Sequence, residues 1–227
     1  MRVPFIIWVA VWGQLLPVLV AARRWKDLDA AHRGVLAWLV LLLSTDLFHF
    51  TWSVLLHRGN NLFIGHLSTP IQATLILLVL AEWQVQPVAR NTVRIVVPLA
   101  LAWWAVTTAF FEDTSNFSVL SSPVISLLAL AATLLAFVTR LRDEDVPVLR
   151  TSWCWILAGI AIHFATNSTI SLFQAVATSR QDWALLERSL RYKAGIDIFA
   201  IISIAWGFVC LIPPRSSGAS SSRVPSR

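Results

Sequence analysis

Asp46, His49, His66, His163, Asn167 and Asp197 are the residues whose types could do chemistry, and each lies in or beside an apolar run. Asp46, His49 and Ser53 fall at i, i+3 and i+7, which places them on one face of a helix. His66 and Thr69 share a second face, and Pro70 follows. His163, Asn167, Ser171 and Gln174 make the longest polar stripe, while Asp197 lies one turn beyond Lys193. Gln14 is a polar residue in the first apolar run. Carboxylates and imidazoles in such places can relay protons, coordinate a metal, ligate haem or a chlorophyll magnesium, or bind a small ligand. Ionisable groups inside lipid-length apolar runs are costly, so the stretch from Asp46 to Gln72 marks the functional centre.

These residues need helices to position them. The chain has 227 residues, 57% hydrophobic and 13% charged, whereas a soluble domain carries roughly a quarter charged residues. Its apolar runs are about 20 residues long, enough to cross a bilayer as a helix. The sequence therefore predicts an all-α, polytopic membrane protein. Seven spans are placed near 3–22, 35–56, 62–83, 95–111, 118–139, 152–174 and 193–212, in one domain over 1–213. The run near the N-terminus is read as a retained span, because its core is longer than that of a signal peptide and Arg23, Arg24 and Lys26 follow at once. On a rise of about 1.5 Å per residue, Gln14, Asp46 and His163 lie near the midplane. His49, His66, Asn167 and Asp197 then lie in one half.

Loops after the first, third and fifth spans hold Arg23, Arg24, Lys26, Arg33, Arg90, Arg94, Arg140, Arg142 and Arg150, and the tail adds Arg215, Arg223 and Arg227. The opposite side carries Arg2, Arg58, Arg180, Arg188, Arg191 and Lys193. This bias predicts the N-terminus outside and the C-terminus in the cytoplasm of a bacterial inner membrane. It also accounts for the net charge of +6 without nucleic acid as a partner. Twelve Trp against one Tyr fit headgroup boundaries. Ser179 and Asp182 resemble a capping box, after which Trp183, Leu186 and Leu190 predict a short amphipathic helix on the outer interface. Residues 214–227 have the composition of a disordered tail that orders against a partner. Cys154 and Cys210 read as free thiols.

Several functions fit the polar residues. The plain one is a buried network in which Asp46 pairs with His49 and the rest hydrogen-bond across helices. A ligand pocket would use the same side chains as walls. His49, His66 and His163 are each formally capable of binding haem or a chlorophyll-type pigment. A metal-dependent hydrolase is a further alternative. The seven-helix ceramidase and progestin-receptor-like hydrolases, however, carry paired His in the last helix, where this chain has only Asp197. The last helix also lacks a deep Lys for a retinal Schiff base, and no inverted repeat suggests a transporter.

Asn60-Asn61, His66, Pro70-Ile71-Gln72, Trp155, Gly159 and His163-x-x-x-Asn167 together resemble a group of uncharacterised bacterial seven-helix membrane proteins, some sensor-like. The resemblance implies a membrane-embedded bundle and no catalytic residue. The leading expectation is a non-catalytic subunit of a larger membrane assembly, with lipids and other membrane subunits as partners. A ligand-binding sensor is next.

Overall fold

The computed structural model describes residues 4–52, 61–143 and 147–211. Among them every regular element is helical, and seven helices are long and apolar enough to cross a membrane. Ser53, Arg58, Asn60, Arg2 and the tail from residue 212, all used in the sequence reading, lie outside the described residues.

The first span is two pieces, α1 (Phe5–Gly13) and α2 (Leu15–Arg23), separated at Gln14. Pro17 explains the break: it has no N–H for the carbonyl of Gly13, four residues earlier, and its ring crowds that carbonyl. The sequence reading treated this span as continuous. α3 (Ala30–Phe50) starts five residues before the expected 35, because the Asp29 side chain accepts from the backbone N–H of His32 at 2.8 Å and caps the helix.

α4 (Leu62–Glu82) runs unbroken through Pro70. Pro70 removes the N–H that would bond the His66 carbonyl, and the indole Nε1–H of Trp104 donates to that oxygen instead, at 3.0 Å. α5 (Pro87–Phe110) begins eight residues earlier than expected. Pro87 sits at the first helical position, where its missing N–H costs nothing. Arg94 pairs with Glu82 at 2.7 Å, so the basic residues expected in a loop are helical instead. α6 (Ser121–Asp143), α7 (Ser152–Ser179) and α8 (Trp183–Val209) complete the bundle.

The expected interfacial helix is not a separate element. Asp182 caps α8 through the Leu185 N–H at 2.9 Å, and the helix continues from Trp183 to Val209. Ser179 takes no part in this cap, since its hydroxyl donates to the Val176 carbonyl. α7 ends in a tight turn: the Asp182 N–H reaches the Ala177 carbonyl, the Gln181 N–H reaches that of Thr178, and Gln181 takes a left-handed φ of 54°. At about 1.5 Å per residue, α7 and α8 each run for about 40 Å, longer than the ~30 Å hydrocarbon core.

α7 lies along α8, α8 meets α1 and α2, and α2 meets α3. α3 packs on α4, α4 on α6, and α6 on α7, which closes a ring. α5 packs outside α4 and α6 and leaves Ile95, Leu99 and Phe110 exposed, as a lipid-facing helix does. Small residues set the closest approaches. A Cβ on Gly159 would meet the Ala200 carbonyl oxygen at 2.7 Å, and one on Gly207 would meet that of Ser152 at 2.9 Å. Ala129, Ala132, Thr133 and Ala136 of α6 are all buried, as their spacing suggests. Trp38, Leu39, Ile76, Leu80, Ile160 and Phe208 are among the buried core residues. Cys154 and Cys210 are free thiols.

Candidate functional site

A cavity of about 290 Å³ lies inside the ring, and Asp46, His49, His66, His163, Asn167 and Asp197 all line it. Gln14 and Lys193 line it as well. The polar stripes of four helices therefore meet in one place. They occupy the end of the bundle where α1, α4, α6 and α8 begin and α3, α5 and α7 finish.

One wall is a hydrogen-bonded chain between α7 and α8. The ammonium of Lys193 donates to Asp197 Oδ2 at 2.5 Å, one helical turn away. Asp197 Oδ1 accepts from His163 Nδ1 at 3.2 Å, and Asn167 Nδ2 donates to His163 Nε2 at 3.0 Å. The carboxylate fixes the tautomer of His163: Nδ1 carries the proton and Nε2 accepts. Trp38 meets the His163 ring edge-on, with centroids 5.4 Å apart, and Phe164 meets it at 5.2 Å. The imidazole is thus held on both nitrogens and both sides.

A second wall is built at the break between α1 and α2, which packs against α8. The Gln14 amide nitrogen donates to Asp46 Oδ2 at 2.5 Å. Asp46 therefore hydrogen-bonds across helices to Gln14, besides its electrostatic interaction with His49 on its own helix. A third contribution comes from the turn between α5 and α6, which supplies Asn116, Phe117 and Ser118 to the cavity. Glu112 anchors this turn. Its carboxylate accepts from the backbone N–H groups of Leu120 and Ser121 at 2.6 and 2.9 Å, and from the hydroxyls of Ser118 and Ser121 at 2.9 and 2.6 Å. Burial pushes the Glu112 carboxyl upward, but the hydrogen bonds from Ser121, Leu120 and Ser118 outweigh it and hold it below its usual range.

His66 belongs as much to this turn as to the cavity. Its Nε2 donates to the Asn116 carbonyl at 3.0 Å, and its Nδ1 stands 3.8 Å from Glu112 Oε2. Neither Glu112 nor the serines after it featured in the sequence reading. The signal was present, since Glu112 to Ser122 is a run of acids, serines and Asn bounded by two apolar helices. Its closure over residues 66 and 116 depends on a contact across 50 positions.

The pigment and metal expectations fit this geometry poorly. Both nitrogens of His163 and Nε2 of His66 already have partners, and 290 Å³ sits at the small end of the ~300–1,000 Å³ typical of ligand pockets. A planar tetrapyrrole needs more room than that. Among the described residues no three His, Cys, Asp or Glu side chains are grouped so as to hold a metal ion. The zinc-hydrolase expectation therefore has no ligand set here.

His32, which the sequence reading passed over, organises the opposite end. Its Nδ1 bonds Asp29 Oδ1 at 2.8 Å and its Nε2 meets Ser152 Oγ at 2.8 Å. The order of side chains is that of a hydrolase triad. Asp29, however, is 65% exposed and doubles as the cap of α3. The chain of bonds clasps the starts of α3 and α7 together. The His32 hydrogen bond holds the Asp29 carboxyl down to about 2.

The cavity is thus the feature that most needs a function. Comparison with protein-family models, curated proteins and solved structures finds no match to this chain, so its reading rests on the geometry.

Proposed function

We propose that this chain is a multi-pass membrane receptor that senses a small ligand held in the polar cavity at the N-terminal end of its bundle. The observation that carries the reading is the meeting of Asp46, His49, His66, His163, Asn167 and Asp197, from four helices, on one cavity. These groups pair with one another and also line a shared volume. The Lys193–Asp197–His163–Asn167 chain prearranges donors and acceptors on its wall, which lowers the cost of ordering them on binding. The bias of Arg and Lys toward the other end supports an orientation in which the cavity opens to the outside. The accessory-subunit reading leans chiefly on the tail, which lies outside the described residues.

Thermal unfolding of the detergent-purified protein against a panel of small polar compounds tests the proposal. A ligand that binds only the folded state stabilises it by about 2.7 kcal/mol at one hundred times its Kd. At least one compound is expected to raise Tm with concentration, and Asn167→Ala or Asp197→Asn to weaken that rise. Equal responses of wild type and both variants to every compound would overturn the receptor reading.

A further inference from the structure

Resting on that reading, we infer that the cavity selects a small ligand with a protonated amine, held by the Asp46 carboxylate beside the Gln14 amide. Charge is the first ground. Two carboxylates, Asp46 and Asp197, and one ammonium, Lys193, line the cavity. Lys193 is paired with Asp197 at 2.5 Å. Asp46 hydrogen-bonds only the neutral Gln14 amide among the described residues, while Lys193 and His49 act on it through space. A carboxylate inside a bundle is stable only when a cation or a proton compensates it. A ligand ammonium supplies both the charge and the donors.

Hydrogen-bond capacity is the second ground, and it is independent of the first. Three residues of the cavity wall carry buried polar atoms without a partner among the described residues: Gln14 Oε1, His66 Nδ1 and Trp38 Nε1. All three side chains are more than nine-tenths buried, with residue exposures of 7%, 4% and 1%. The first is an acceptor. The second already faces the Glu112 carboxylate at 3.8 Å. Trp38 adds a donor. Gln14 Oε1 and the second oxygen of Asp46 thus belong to one hydrogen-bonded pair, and the complement of that pair is a group rich in N–H. An anionic ligand would meet the Asp46 charge there. Leu39, Leu42, Phe164 and Ile201 leave room for a short apolar body behind the head.

The probes are n-butylammonium, n-butyrate and n-butanol at neutral pH, which share a chain and differ in the head. Their effect on Tm is read for the full chain in detergent, with helical content checked by circular dichroism. Butylammonium is expected to raise Tm while butyrate and butanol do not. Asp46→Asn should weaken its apparent affinity about 10- to 100-fold, the range of a charge-assisted hydrogen bond. Gln14→Leu, which keeps Asp46, should weaken it less and serves if Asp46→Asn fails to fold. A larger shift with butyrate or butanol, or an amine shift unchanged in both variants, overturns the amine assignment. If all three probes fail while the wider panel yields a compound that Asn167→Ala weakens, the assignment falls and the receptor reading stands. If that panel fails as well, both fall.

Discussion

Pro70 deletes one backbone donor in the middle of α4, and the consequence is met 34 residues later by a side chain. Trp104 gives its indole N–H to the freed His66 carbonyl at 3.0 Å, whereas Trp103, 40% exposed, reaches the Leu120 carbonyl at 3.3 Å. The two tryptophans are neighbours in sequence with different work. Nothing in the sequence separates them, because the carbonyl that decides it lies on another helix. Trp104→Phe keeps most of the ring and deletes the N–H, leaving a carbonyl oxygen unpaired inside the bundle. The expected cost is about 1–3 kcal/mol. Trp103→Phe should cost less than half as much, since its bond is longer and nearer the boundary. Reversible unfolding of the two variants in mixed micelles, followed by Trp fluorescence and circular dichroism, measures the difference. Equal losses would remove Trp104 from this role.

At the scale of elements, the apolar runs were legible and their ends were not. Hydrophobicity located seven helices, but a bilayer-length run does not say where capping begins. Asp29 starts α3 early, Pro87 starts α5 early, and Asp182 starts α8 ten residues ahead of the expected 193. The amphipathic pattern from Trp183 to Leu190 was real, yet it marks the first turns of a long helix, with Leu186 turned inward at 8% exposure. What holds this helix against α7 is glycine. A Cβ at Gly159 would meet the Ile204 side chain at 2.5 Å and the Ala200 backbone oxygen at 2.7 Å, and the oxygen cannot swing aside as a side chain would. Gly159→Ala therefore forces the pair apart, at an expected cost of about 1–3 kcal/mol. Because His163 is one turn along from Gly159 and Asp197 faces it from α8, separation should also lengthen the 3.2 Å His163–Asp197 bond. Gly13→Ala is the control, since its Cβ would find only Ile201 methyls at 3.8 and 4.0 Å. Thermal scans of the two variants separate the outcomes, and similar Tm values would show that the α7–α8 approach is not limiting.

For the whole molecule, the sequence carried the site further than it carried the details of the fold. Helical periodicity put Asp46 with His49, and His163 with Asn167, on shared faces; only packing could show that those faces meet, that Gln14 reaches Asp46 from another helix, and that the Glu112 turn closes beside them. Membrane orientation is the matching question at this scale. The cavity and the Arg23–Arg33 segment lie toward opposite ends of the bundle, and the basic residues favour the latter for the cytoplasm. Thr114, in the turn between α5 and α6, and Gln86, between α4 and α5, are both exposed and lie at opposite ends. In a background with Cys154→Ala and Cys210→Ala, a membrane-impermeant maleimide should label Thr114→Cys in intact cells. Gln86→Cys should react only after permeabilisation. The reverse pattern would turn the bundle over and present the cavity to the cytoplasm, where a receptor for an external ligand has no access to it.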